Sequence, residues 1–344
     1  MTLNVRQFED SDAPRWDEFV LGHPHGSPFH LTAWKRSIEE TFGYRSFCLV
    51  AEEGERMQGV LPLFLTRSLL TGKALISSPF AVYGGALAGS PEAAGTLRDK
   101  VGSLGRSLGV EYVELRNFSP QQRLGFQRVD RYATFLQELG PDEQSILEAI
   151  PRKTRAAVRK SFRYELSMET AASPGAFIDL YTGNLGRLGT PAFPERHFTN
   201  LLRNFGSLAD VREVRFEGRV VAAVLTFYFR DRVMPYYGAS DPAANEVQPN
   251  NFMYFDLMRW GRRNGYRVFD FGRSKKEGSG SYDFKAHWGM ELRELPYEIL
   301  LVKRKSLPNV SPNNPKFSLF IRAWQKLPLP VARRLGPLLI RMFP

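Results

Sequence analysis

The sequence predicts a two-domain α/β protein, and three observations carry that expectation. A chain of 344 residues exceeds the length at which one hydrophobic core usually stops growing, so two domains of about 150 residues each are expected. A composition of 43% hydrophobic and 24% charged residues is that of an ordinary globular protein and excludes disordered and fibrous classes. Strand-like and helix-like stretches also recur in the same order in the two halves.

The recurrence rests on two pairs of features. Leu49–Val60 and Val214–Val221 each read as a hairpin closed at a Glu-Gly turn, Glu53-Gly54 and Glu217-Gly218. Later in each half a helical stretch ends at a glycine, Gly109 or Gly265, and an alternating strand follows; glycine suits the left-handed residue that closes a helix. Gly54 and Gly218 are 164 residues apart and Gly109 and Gly265 are 156 apart, so one unit occurring twice explains both spacings. Chance similarity between common hairpins is the competing reading. The join falls near Gly140-Pro141-Asp142, which divides the chain into domains 1–140 and 141–305 and a tail 306–344.

A single cysteine excludes an intrachain disulfide and any multi-cysteine metal site. Cys48 lies in an apolar run, Ser46-Phe47-Cys48-Leu49-Val50, and reads as a buried structural thiol rather than a nucleophile. The charged start of the chain lacks a secretory apolar core, and the longest apolar run, Val220–Phe229, is too short for a spanning helix. A soluble, cytoplasmic protein is therefore expected. The net charge of +11 points to an anionic partner: nucleic acid, a phosphorylated or nucleotide-linked substrate, or a membrane face.

Three places invite chemistry. In the first, Pro151–Arg163, helical spacing lines up Arg152, Arg155, Arg159 and Arg163 with Lys153 and Lys160 beside them. Aligned like charges destabilise a helix, so a neutralising anion is the functional reading, phosphate fitting the guanidinium fork best; a solvated face is the bland one. In the second, Asn250 or Asn251 caps a helix running to about Arg263, and the free N–H groups at its start suit an anion; a simple structural cap is the bland reading. The third, Phe269–Gly289, runs from a strand into a basic glycine and serine loop and then an aromatic cluster, the position at which open α/β sheets place ligands. Its Arg273, Lys275, Lys276 and Lys285 supply positive charge, and its apolar Tyr282, Phe284 and Trp288 argue against a mere surface loop.

Three stretches, Asn250-Asn251-Phe252-Met253-Tyr254, Phe269-Asp270-Phe271-Gly272-Arg273-Ser274 and Tyr282–Gly289, resemble the FemAB-like family. The basic helix from Arg152 and the Trp34-Lys35 stretch fit the same family. The resemblance implies two tandem GNAT-like domains, each a mixed central sheet flanked by helices, and the joining of an acyl or aminoacyl group to an amine. It is nearest the subgroup associated with PEP-CTERM and exosortase systems, which implies exopolysaccharide or envelope assembly. In peptidoglycan-bridge members a lysine of a Phe-Lys pair lies at the reaction centre, and Phe284-Lys285 matches that pair. Asn250, Asn251, Arg273, Ser274, Lys275, Tyr282, Phe284 and Trp288, with Trp34, Lys35, Arg152, Lys153, Arg155 and Arg159, are then the expected substrate contacts.

The sequence departs from its relatives twice. The segment Asp241–Asn250 contains no glycine, which argues against a CoA pyrophosphate loop, and there is no room for the long helical hairpin linked to transfer RNA contact. Acyl-CoA and aminoacyl-tRNA both remain possible donors, with no permanently bound cofactor expected. Direct attack needs positioning and an oxyanion stabiliser, a role suited to the Lys285 ammonium, while Asp270, Asp283 or His287 stands as a proton acceptor.

His23, His25 and His30 lie in an irregular proline loop without nearby carboxylates or cysteines, so no metal site is expected. Leu307–Pro315 reads as a linker, and Lys316–Lys326 and Val331–Phe343 read as basic, apolar segments that lie on an anionic membrane or pack back on the second domain. Besides the transferase reading, a silent RNA- or polysaccharide-binding protein is a rival of a different class.

Overall fold

Both Glu-Gly turns close hairpins in the computed structural model, which describes residues 3–69, 71–276, 280–308, 324, 325, 327 and 329–344. The chain divides into two compact units: Met1–Asp130 with Leu295–Lys326 and Arg334–Pro344, and Arg131–Glu294 with Leu327–Arg333.

The first unit begins with β1 (Leu3–Gln7), α1 (Ala13–Gly22), α2 (Thr32–Phe42), β2 (Arg45–Ser46), β3 (Leu49–Glu53), β4 (Arg56–Leu61), β5 (Phe64–Ser68) and β6 (Gly72–Ile76). It continues with β7 (Leu87–Ala88), α3 (Pro91–Leu108), β8 (Tyr112–Leu115) and β9 (Gln127–Val129). Ser90 caps α3 through Ala93 N, and Gly109 ends it in the left-handed conformation that a side chain would resist.

The second unit holds β10 (Tyr132–Glu138), α4 (Glu143–Ala149), α5 (Arg152–Ser161), β11 (Ser167–Thr170), α6 (Gly175–Leu188), α7 (Glu195–Phe205), β12 (Ala209–Phe216) and β13 (Arg219–Phe229). β14 (Arg232–Ser240), α8 (Pro249–Arg263), β15 (Val268–Lys275), α9 (Gly280–Ala286) and β16 (Glu291–Glu294) complete it. β17 (Tyr297–Leu301) returns to the first unit, and α10 (Leu329–Leu339) follows.

The first unit has sheets of order β1-β3-β4-β7 and β2-β5-β6-β8-β17-β9, and the second has one sheet, β11-β12-β13-β14-β15-β10-β16. Nine consecutive residues of β13, Val221–Phe229, are buried, as expected for a central strand covered on both faces. Its neighbours Phe135, Phe255, Phe269 and Trp288 fill the core of the second unit.

The domain limits differ from those read in the sequence, because the two units exchange a strand. β10 pairs antiparallel with β15 and β16, so residues 131–140 belong to the second unit rather than the first. β17 pairs antiparallel with β8 and β9, so residues 295–305 belong to the first. The exchanged strands occupy matching positions, β8-β17-β9 and β15-β10-β16. β9 and β16 begin 164 residues apart, the interval of the two hairpin glycines, and β10 and β17 begin 165 apart. Both hairpins also carry a register shift near the turn, at Ala51/Glu52 and Val214/Arg215. Three spacings and a shared irregularity favour duplication over chance.

Part of the predicted linker and of the Lys316–Lys326 segment lies outside the described residues. The last residues pack on the first unit rather than the second: the Tyr44 hydroxyl donates to Arg341 O (3.2 Å), the Ser68 hydroxyl to Met342 O (2.9 Å), and Arg116 to Pro344 O (2.7 Å). Among the described residues no helix is long and apolar enough to cross a membrane. Cys48 is buried, and that burial pushes its thiol up to about 12, far from a reactive thiolate.

Candidate active site

In the second unit β14 and β15 run parallel but pair only at Arg232↔Val268 and Val233↔Phe269. β14 goes on to Ser240 and β15 to Lys275, each held on its other edge by β13 or β10, with no ladder joining them further along. The strands therefore part and leave a wedge toward their carboxyl ends. Pro235 and the register shift between Leu225 and Thr226 begin that stretch of β14, since proline brings no N–H to a ladder.

A cavity of about 300 Å³ opens at the carboxyl end of β14, lined by Gly238, Ala239 and Ser240 of that strand, Asn184 and Arg187 of α6, Asn250 and Tyr254 of α8, and Phe284 of α9. At Gly238 a Cβ would stand 2.9 Å from the Tyr254 hydroxyl, so the missing side chain lets that phenol reach the strand. Tyr254 is pushed up to about 12 by burial and remains a neutral phenol.

Lys285 follows Phe284 directly. Its Nζ donates to the carbonyls of Gly272 and Arg273, each at 3.1 Å. Burial pushes this ammonium down to about 7, Asp270 opposes that shift, and Arg273 adds to it. Asp270 is buried, and its Oδ1 accepts from Gly272 N (2.8 Å) and the Thr134 hydroxyl (3.3 Å). It thus holds the irregular stretch of β15, between its pairings at Asp270 and Arg273, whose carbonyl holds Lys285, and the left-handed Gly272 permits that irregularity.

Of the proposed proton acceptors, only Asp270 comes near Lys285. Asp283 and His287 are exposed; Asp283, two residues before Lys285, lies about 200° around α9 from it, and His287 lies in the turn after that helix. Other expected contacts are also redistributed. Trp34 is fully buried, edge-on to Phe29, and Lys35 pairs with Glu39 (2.9 Å) over the Phe8 ring, so packing and an ion pair occupy both. Trp288 is fully buried beneath Phe271 and Phe284 and supports the site without facing it. Tyr282 packs edge-on to Phe135, Arg273 lies over the Tyr132 ring (4.4 Å), Ser274 is buried and accepts from Ser281 (3.3 Å), and Lys275 is half-buried opposite Tyr132.

Asn250 and Asn251 do not cap α8. Pro249 takes the first helical position, where its lack of N–H costs nothing, and Gln248 precedes it in the left-handed conformation. Asn250 instead donates to Ser240 Oγ (2.7 Å) and Asn251 to Gln248 Oε1 (2.9 Å). The glycine-free stretch before them is a short 3-10 helix, Pro242–Val247, with Asp241 capping Ala243 N.

The basic helix α5 is fastened to the end of α9. Thr154 donates to His287 O (2.6 Å), and Gly289, left-handed, would place a Cβ 2.7 Å from Pro151. Arg152, Lys153 and Arg159 are exposed, while Arg155 is half-buried and donates to Glu148 O (3.3 Å). Thr154, Val158 and Ser161 form the buried face.

Sequence reasoning missed Thr134, Asn184, Arg187, Gly238 and Ser240. The small Gly238-Ala239-Ser240 run at a strand end was the available signal; the others are joined to the site only by the fold. His30 is buried, with its ring nitrogens bonded to Ser27 Oγ (2.8 Å) and Gly85 O (2.9 Å). A larger cavity of about 590 Å³ lies in the first unit, bordered by Ser90, Arg98 and Arg123.

Residues 149–286 match the family model for an acetyltransferase (GNAT) domain. Over 102 residues the chain is 28% identical to a lipid II:glycine glycyltransferase of Staphylococcus epidermidis, a match covering 28% of this chain and 24% of that protein. The chain thus spans about a quarter of the length of the curated relatives it matches. The crystal structure of FemX superposes with a TM-score of 0.69 at 15% identity, over 87% of this chain and 98% of that one. A tandem GNAT protein from the clavulanic acid biosynthesis pathway gives 0.53 at 12% identity, over 87% and 99%. The exchanged strands, the parted parallel pair and these likenesses agree: the chain has a tandem GNAT-like fold of the FemX type, with an acetyltransferase-domain match in its second unit.

Proposed function

We propose that this protein is an acyl or aminoacyl transferase that forms an amide on an acceptor amine by direct attack. The observation that carries this reading is Lys285: its Nζ is held by two backbone carbonyls of the parted strand, the preceding Phe284 lines the cavity, and the carbonyl of His287, two residues on, accepts from the basic helix. The acceptor nitrogen attacks the donor carbonyl carbon, and the remaining N–H of the Lys285 ammonium stabilises the oxyanion. That attack forms the C–N bond; collapse of the tetrahedral intermediate re-forms the carbonyl and breaks the donor's C–O or C–S bond, and the departing alkoxide or thiolate takes up, through solvent, the proton lost by the amine. Asp270 is a positioning residue, favouring the charged form of Lys285 and holding Gly272.

An aminoacyl-tRNA donor is favoured by the exposed charges of α5 beside α9 and by the stretch shared with a lipid II:glycine glycyltransferase. The glycine-free 3-10 segment before α8 is a poor cradle for a pyrophosphate. The acceptor belongs to envelope or exopolysaccharide assembly in a PEP-CTERM/exosortase setting, as the motifs after Asn250 imply, and the work is done at the cytoplasmic side of the membrane. A second reading, an acyl-CoA-dependent N-acyltransferase, is supported by the acetyltransferase-domain match.

Fluorescent acetyl-CoA and aminoacyl-tRNA, titrated separately at physiological salt and followed by product mass on amine acceptors, test both. Saturable binding that depends on the aminoacyl group, with transfer, supports the first reading. Binding and transfer from acetyl-CoA alone would replace it with the second, and neither donor yielding product would overturn transferase function.

A further inference from the structure

We infer that the first unit carries a docking surface for an anionic lipid bilayer, built from the tip of the β5–β6 hairpin and the terminal stretch Arg334–Pro344. Leu69 at the hairpin tip is 94% exposed, and Leu338 and Leu335 are 65% and 40% exposed. Exposed leucines are unremarkable when scattered, but these belong to two elements fastened together. The Ser68 hydroxyl, next to Leu69, donates to Met342 O at 2.9 Å, and the Tyr44 hydroxyl donates to Arg341 O at 3.2 Å. Leu335 and Leu338 are three residues apart on one helix face, and Met342 lies four residues beyond Leu338.

Charge selects the partner. Neither 64–76 nor 334–344 contains an aspartate or glutamate, whereas Arg67 and Arg334 are exposed and Arg341 is half-buried. Arg45, also exposed, lies opposite Leu65 in the neighbouring strand. A few projecting leucines amid arginines, on two segments with no acidic side chain of their own and with Glu111 beside Gly72 as a nearby carboxylate, supply the two signals that reversible membrane attachment requires, apolar insertion and attraction to anionic headgroups.

Co-sedimentation of the full chain with phosphatidylglycerol-containing and pure phosphatidylcholine vesicles tests the surface. The expected result is binding to the anionic vesicles that weakens with salt, with Leu69→Asp or Leu338→Asp lowering affinity at least about ten-fold. Arg67→Glu or Arg334→Glu should lower it about five-fold or more each. Because these side chains project from the fold, the variants should keep the wild-type circular dichroism spectrum and turnover on a soluble acceptor. Absence of binding at physiological salt, or binding unchanged in both leucine variants, would overturn the proposal. A concentration-dependent dimer abolished by Leu338→Asp without vesicle binding would also overturn it, assigning the face to a second copy of the chain. Vesicle binding needs no catalysis, so failure of the transferase reading leaves this test intact.

Discussion

Lys285 and Gly272, thirteen residues apart in the chain, are joined by a 3.1 Å hydrogen bond from the lysine Nζ to the glycine carbonyl. That contact turns a motif residue on a short helix back onto the parted strand, and several expectations rest on it.

Replacing Lys285 with Ala or Met should lower kcat by about 10²-fold or more with KM changed less than about three-fold, the mark of an interaction made in the transition state. Steady-state kinetics on the identified donor measure it; equal losses in kcat and affinity would assign Lys285 to substrate binding alone.

The pH profile distinguishes ammonium from amine. With Lys285 held down at about 7, a role for the charged form makes kcat/KM fall above about pH 7, and that limb should vanish in Lys285→Met. An activity that instead rises through pH 7 only when Lys285 is present would make the neutral amine the general base.

Stability should follow the same group with a defined sign. The unfolded chain, with lysine at its ordinary value of 10.5, binds more protons than the folded chain between about pH 7 and 10.5, so this residue makes stability rise with pH across that window. Lys285→Met should therefore stabilise the protein by about 2–4 kcal/mol below pH 7, and the gain should fade toward pH 10. Urea denaturation at pH 6, 8 and 10 checks the trend.

Asp270→Asn keeps an acceptor for Gly272 N but removes the charge that favours the Lys285 ammonium. The falling limb of kcat/KM should move to lower pH, with native circular dichroism retained. A profile unmoved in Asp270→Asn would limit Asp270 to holding Gly272 in the strand.

Gly289→Ala should cost about 2 kcal/mol, because the residue is left-handed and its Cβ would approach Pro151 to 2.7 Å. Thermal denaturation measures the loss. The substitution should also reduce turnover by loosening α5 from α9.

Arg152→Glu with Arg159→Glu should weaken aminoacyl-tRNA binding by about ten-fold or more and flatten its salt dependence, leaving any acetyl-CoA affinity unchanged. Anisotropy titrations at several salt concentrations decide the matter.

Much of this architecture was legible in local chemistry. Glycine at Gly54, Gly109, Gly218 and Gly265 marks backbone conformations that side chains resist, so turns and helix ends showed in the residues themselves. The basic face of α5 followed from helical spacing, whereas the Val220–Phe229 run was read only as too short to span a bilayer, and its place as a buried central strand came from the sheet. The exchange of β10 and β17 was not legible, because a strand's pattern specifies how its faces are covered and leaves open which sheet edge it joins. The same limit explains the site. Residue types alone suggested Asp270, Asp283 and His287 equally, but Asp283 on α9 and His287 in the turn after it are both exposed, while Asp270 accepts from Gly272 N. Trp34 and Trp288, which composition offers equally to ligand or core, went to the core because burying a large aromatic surface stabilises the fold. Local sequence determined the elements, the repeat and the Phe284-Lys285 pair; tertiary packing alone decided which sheet each strand completes and which charges stand close enough to act on Lys285, since proximity across long sequence separations is a property of the whole fold.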